Sequence, residues 1–188
     1  QHDASLEASF VIGAWLEAGG DTAIVKEHLA NWLKQHDASL ESSFVIGAWL
    51  KAEGDKAIVK EHLANWLKQH DASLEAKFII GAWLKAEGDK AIVKEHLANW
   101  LRQHDASLEA SFVIGAWLEA GGDTAIVKEH LANWLRQHDA SLEAMFVIGA
   151  WLEAEGVTAI VKEHLANWLK QHDASLEASF VIGAWLEA

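Results

Sequence analysis

The 188-residue chain has no cysteine, no proline and no tyrosine, and a single methionine. Without thiols there is no disulfide framework, no thiolate metal site and no cysteine nucleophile, and the redox compartment is left open. Without proline, glycine and capping side chains alone must end the helices. The longest apolar run, FVIGAWL at Phe10 to Leu16, is far too short to span a bilayer, and no basic-then-apolar leader opens the sequence. Basic residues are also scarce, 15 Lys and Arg against 28 Asp and Glu, for a formal net charge of −13. So acidic a surface repels phosphates, which disfavours nucleic acid and anionic membranes as partners.

What the chain does contain, it repeats. Gln-His-Asp recurs at Gln1, Gln35, Gln69, Gln103, Gln137 and Gln171, a strict spacing of 34 residues. The expected organisation is therefore a single repeat array over 1–188, with repeats 1–34, 35–68, 69–102, 103–136 and 137–170 and a half repeat 171–188. All 11 Trp fall in two columns of the repeat, the 11 His in two others and the 6 Phe in one, so no aromatic or imidazole is left for a separate catalytic insert.

One repeat reads as a helical hairpin. Asp3 followed by ASLEASFVIGAWLEA predicts an N-cap and about four turns of helix, here named helix A, ended at Gly19-Gly20. Gly20, Gly54, Gly88, Gly122 and Gly156 are expected to supply the left-handed residue at that end. Asp21 then caps TAIVKEHLANWLKQ, helix B. At 100° per residue, Ile24, Val25, His28, Leu29, Trp32 and Leu33 share one arc of helix B, predicting burial on one side. On helix A, Phe10, Val11, Ile12, Ala14, Trp15 and Ala18 spread over more than half the circumference and leave a narrow stripe of Ser5, Ser9, Gly13 and Glu17. Such a helix needs neighbours on two sides, and the second is expected to be helix B of the preceding repeat. The fold class that follows is all-α, a right-handed α-solenoid of tandem helix-turn-helix repeats with 11 helices.

The period resembles the tetratricopeptide repeat, with Ile12-Gly13 falling on that family's Leu-Gly and Gly20-Asp21 on its Gly-Asp turn. Val25 and Trp32 stand where that family has small residues, and Asp37 where it has proline, so the resemblance implies an architecture and not membership. The paired Gly19-Gly20, with Leu6 and Val11-Ile12, is also similar to the TAL-effector DNA-binding repeat. That register would put base-reading positions on Glu17-Ala18, Lys51-Ala52, Lys85-Ala86, Glu119-Ala120 and Glu153-Ala154, where Glu beside phosphate is unfavourable.

The candidates for chemistry are all multiplied by the repeat. His28, His62, His96, His130 and His164 could form an imidazole ladder, but no HxxxH or HExxH spacing exists, and the expected role is a core-edge His bonded to a helix end or a neighbouring repeat. His2, His36, His70, His104, His138 and His172 precede the Asp and are expected in turns, and the Trp columns in the inter-repeat core. Glu27 and His28 point about 100° apart and have no nucleophile beside them. No catalytic residue, metal site or cofactor is therefore expected.

The copies differ mainly on the helix A stripe and at the hairpin turn. The ninth column reads Ser9, Ser43, Lys77, Ser111, Met145, Ser179, and the seventeenth Glu17, Lys51, Lys85, Glu119, Glu153, Glu187. At i and i+8, with Gly13 and its equivalents between, the two columns predict one exposed groove and the candidate binding residues: Ser9, Glu17, Ser43, Lys51, Lys77, Lys85, Ser111, Glu119, Met145 and Glu153. Repeats one and four share the turn EAGGDT and repeats two and three KAEGDK, a pattern of block duplication, while Val157 replaces the Asp cap at a cost of about 1 kcal/mol. A natural array and an engineered one both fit these features.

The expected function is a non-catalytic structural scaffold that associates with itself, because the chain begins and ends on a helix A that lacks one adjacent helix B. The alternative is a peptide- or protein-binding adaptor using the helix A groove; a nucleic-acid-binding array is more remote. Protonating all 11 His would carry the formal charge from −13 to −2, so turbidity should rise as the buffer is made mildly acidic.

Overall fold

The computed structural model describes residues 7–156, 158–172 and 176–187. Asp3 as a cap, His2, Ser5 and the Val157 substitution lie outside these residues. The described residues form eleven α-helices and no strand. The A helices are α1 (Glu7–Glu17), α3 (Leu40–Lys51), α5 (Ala76–Lys85), α7 (Ala110–Glu119), α9 (Glu143–Glu153) and α11 (Leu176–Glu187). The B helices are α2 (Thr22–His36), α4 (Lys56–His70), α6 (Lys90–His104), α8 (Thr124–His138) and α10 (Thr158–His172). The chain divides into two compact units, Gln1–Asn99 and Trp100–Ala188, at a point within α6 and not at a repeat boundary.

In the first unit α3 lies between α1 and α5, and α2 packs beside α4; in the second α9 lies between α7 and α11, and α8 packs beside α10. Each unit is thus a solenoid-like stack of helical hairpins, A against A in one layer and B against B in the other. This corrects the expected neighbour of helix A, since its contact with the preceding helix B is the lesser one and the next helix A is its main partner. Small side chains make the close approach possible. Ala76, Ala110 and Ala144 are fully buried, and at Gly13 the ring of Phe44 from the next helix occupies the space a Cβ would need.

Helix B forms as predicted. Asp21, Asp55, Asp89 and Asp123 accept hydrogen bonds from the backbone N–H groups of Ala23, Ala57, Ala91 and Ala125 at 2.8–3.0 Å. Val59, Leu63, Trp66 and Leu67 in the first unit, and Val127, Leu131, Trp134 and Leu135 in the second, are completely buried on one face. The solvent-facing side keeps Lys60, Glu61, Lys128 and Glu129.

The hairpin turn departs from the expectation in an instructive way. The left-handed residue is not the invariant glycine but the one before it: Gly19 and Gly121 in two repeats, Glu53, Glu87 and Glu155 in three. Glu53 N–H donates to the Leu50 carbonyl and Gly54 N–H to the Trp49 carbonyl, the paired bonds of a Schellman ending. The next position is glycine for a different reason. A Cβ at Gly54, Gly88 or Gly122 would sit 2.2 Å from the indole of Trp49, Trp83 or Trp117. Those indoles turn inward and donate from Nε1 to the carbonyls of Asp55, Asp89 and Asp123 at 3.0 Å, tying the end of helix A to the cap of helix B.

Lys56 adds a link between repeats. Its Nζ donates to the Ala86 and Glu87 carbonyls, placing a cation at the negative end of α5.

Two substitutions separate the roles of the turn positions. Glu87→Gly removes left-handed strain and should raise unfolding free energy by about 1 kcal/mol, whereas Gly88→Ala forces the indole aside and should lower it by about 1–3 kcal/mol, both read by urea denaturation.

Candidate functional site

The polar side chains that could carry chemistry meet at the turn from helix B to the next helix A. Asp37, Asp71 and Asp139 do not cap a helix A; they sit in helical conformation at the carboxyl end of α2, α4 and α8, and helix A starts later, after a further turn of chain. Their carboxylates face the next helix B. Asp37 accepts from His62 Nδ1 at 3.2 Å and Asn65 Nδ2 at 3.0 Å, and Asp71 from His96 at 2.9 Å and Asn99 at 2.8 Å. In the second unit Asp105 takes His130 at 3.0 Å and Asn133 at 2.8 Å, and Asp139 takes His164 at 3.0 Å and Asn167 at 3.1 Å.

The same face of helix B holds the backbone of that turn. Trp66 Nε1 donates to the Ser39 carbonyl, Trp134 to Ser107 and Trp168 to Ser141, at 2.8–2.9 Å. His70 and His138, whose rings pack 4.8–5.0 Å from the Trp rings one turn earlier, donate from Nε2 to the Ala38 and Ala106 carbonyls at 2.8 Å. His, Asn, Trp and His thus stand at i, i+3, i+4 and i+8 along one side of helix B and form a clasp around the His-Asp-Ala-Ser turn at the end of the preceding helix B. His62, His96, His130 and His164 have the hydrogen-bonded role expected of them, and both His columns are tied to protein groups on the ring atoms named. Among the described residues no three His, Asp or Glu converge as metal ligands.

Burial alone would raise the Asp139 carboxyl; the hydrogen bonds from His164 and Asn167 and the charge on His164 outweigh it and hold the group below the usual carboxylate range.

The other surface is the outer face of the A helices, which carries apolar rows beside the residues of the expected groove. Phe78, Phe112 and Phe146 are 68%, 69% and 65% exposed, in contrast to the buried Trp83, Trp117 and Trp151 of the same helices. Leu40, Leu74, Leu108 and Leu142, one helical turn before the Phe, are exposed as well, and Phe44 is partly so. Within each unit the helices present Leu, Phe, Gly and a charged residue along one stripe: Leu74, Phe78, Gly81 and Lys85 on α5 and its approach, Leu142, Phe146, Gly149 and Glu153 on α9 and its approach. A Cβ at Gly47, Gly81, Gly115, Gly149 or Gly183 would meet nothing, so these glycines expose helix backbone as open slots.

The candidate binding residues divide across this surface. Glu17, Lys51, Lys85, Glu119 and Glu153 are exposed on the stripe. Ser9 and Ser111 are buried, and Ser43, Lys77 and Met145 are half-buried at its edge; Ser43 and Ser111 bond back to the Leu40 and Leu108 carbonyls and Lys77 Nζ lies 4.8 Å over the Phe78 ring. The ninth column faces the next helix A, which is why it is not open groove. A depression of about 540 Å³ in the first unit is lined by Gly47, Lys51, Ala82 and Lys85, and one of about 320 Å³ in the second by Glu119, Met145, Phe146, Gly149, Glu153 and Phe180.

No protein-family model, curated protein or solved structure matches this chain. The functional reading therefore stands on the geometry of its own repeats. Sequence reasoning missed the Phe and Leu rows, although a signal was present: on a 100° wheel the charged seventeenth column lies about 20° from both the Leu and the Phe columns, so all three share one arc. No helix among the described residues is long and apolar enough to cross a membrane.

The clasp gives a pH dependence. A depressed Asp139 carboxyl contributes stability that is complete above the unfolded value of about 3.9 and is lost as pH falls through the lower folded value. Melting temperature should fall with pH below about 4, and Asp139→Asn should make that slope shallower.

Proposed function

We propose that the protein is a non-catalytic scaffold whose helix A face is a docking surface for protein. The observation that carries this reading is the exposed Leu and Phe rows running over uncovered helix glycines. An exposed Phe row is costly to keep in water, at about 1.5–3 kcal/mol per side chain of unrealised burial, and contiguous apolar surface of this kind marks interaction sites. Each mid-helix glycine likewise forgoes about 0.5–1 kcal/mol relative to alanine without any packing need inside the chain at Gly47, Gly81, Gly115 or Gly149. Gly13 illustrates what such a slot accepts, since Phe44 of the neighbouring helix fills it. An apolar helix laid across the stripe would seat its side chains in the same manner.

The non-catalytic part of the reading is supported by the engagement of the His, Asp and Asn side chains in the clasp, where each serves to join successive B helices.

A synthetic amphipathic helix with Leu and Phe along one side is a sufficient probe. It should bind the parent chain in a fluorescence-anisotropy titration, and Phe78→Ser/Phe112→Ser/Phe146→Ser should weaken binding at least about tenfold while shifting the melting temperature little. Gly81→Ala/Gly115→Ala should raise the melting temperature and yet weaken the probe. Binding left intact in both variants would refute the assignment of the face.

A further inference from the structure

We infer that the partner of the helix A face is a second copy of this chain, the first unit of one copy docking on the second unit of the other. This deepens the docking reading above and rests on it. The two units carry the same apolar rows but opposite charge beside them. In the first unit Lys51 and Lys85 stand at the seventeenth column and Lys77 at the ninth, with Glu17 on α1 the single acidic residue of these columns. In the second unit the seventeenth column is Glu119, Glu153 and Glu187, and the ninth, Ser111, Met145 and Ser179, has no basic residue.

The depressions repeat this contrast: Lys51, Lys56 and Lys85 accompany a single Glu, Glu53, in the first unit, whereas Glu119 and Glu153 are the charged residues around the Met145–Phe146 depression in the second. Glu75 and Glu143 flank the stripe equivalently in both units and do not distinguish them. Apolar rows of this kind supply affinity without orientation, and matched charges beside them set which surface pairs with which. Across α3 and α5, first unit on first unit would oppose Lys to Lys, and second on second Glu to Glu; the mixed pairing sets Lys51, Lys77 and Lys85 against Glu119, Glu153 and Glu187. The net charge of −13 acts in the same direction, because it repels contacts that lack a local match while salt screens it beyond about 10 Å.

Charge exchange on the full chain tests this. Sedimentation velocity over a range of concentrations should reveal reversible self-association of the parent. Lys51→Glu/Lys85→Glu makes both faces acidic and Glu119→Lys/Glu153→Lys makes both basic; each variant alone should self-associate at least about tenfold more weakly, with an unchanged far-ultraviolet melting curve. Mixing the two should restore association as a heterocomplex, a result that misfolding of either variant would not give. Undiminished association of either variant, or absence of a heterocomplex, would overturn the inference. A parent chain that stays monomeric throughout would also overturn it, while binding of the amphipathic probe by that same chain would leave the docking face itself in place.

Discussion

Everything in the structure depends on how each helix B holds the end of the one before it. The turn His-Asp-Ala-Ser ends one helix B, and the following helix B grips it through a His and an Asn on the carboxylate and a Trp and a His on the backbone carbonyls. These are bonds between residues 25 to 32 positions apart, and they recur at the period of the sequence. A hydrogen bond to a charged group contributes about 1.5–3 kcal/mol and leaves a comparable penalty when one partner is lost. Burial of Trp66, Leu63 and Leu67 beneath the clasp supplies the nondirectional part of the same interface. The polar bonds set the register in which that apolar face is covered.

Using the polar chemistry in this way has a consequence for function. The His, Asn, Trp and Asp of the clasp are engaged in joining successive B helices, and the outer face of the A helices presents shape and apolar surface. Helix A, packed on both flanks by its own kind, turns a third side outward, with Leu, Phe, uncovered Gly and a charge in sequence along it. The turn that ends helix A is fixed by an inward Trp over glycine, even where a Glu must adopt a left-handed backbone to reach it. Strain at that residue is tolerated because the indole, its hydrogen bond and the cap of helix B are all made by the same few residues.

Much of this was legible in the sequence. The period, the helix B face and its Asp cap follow from spacing and from a polar residue before an apolar periodic segment. The Asp of His-Asp-Ala-Ser misled because its local context matches a helix N-cap; its true partners are His and Asn of the following helix B, 25 and 28 residues on, and a local pattern carries no information about them. The invariant glycine misled similarly, since invariance within the repeat pointed to backbone conformation while the cause was contact with an indole five residues earlier. Phe10 and its equivalents were read as core because they are apolar. Hydrophobicity alone does not separate a residue that faces a neighbour in the same chain from one that faces outward. The charge in the seventeenth column was the better guide to the outer face.

The central claim is that the Asp and His columns couple each helix B to the end of the one before it. A double-mutant cycle between Asp105 and His130, by urea unfolding of the parent, Asp105→Ala, His130→Ala and the double variant, measures that coupling directly. The account predicts a coupling of about 1–2 kcal/mol, with the double variant little worse than either single one. Strictly additive losses would contradict it.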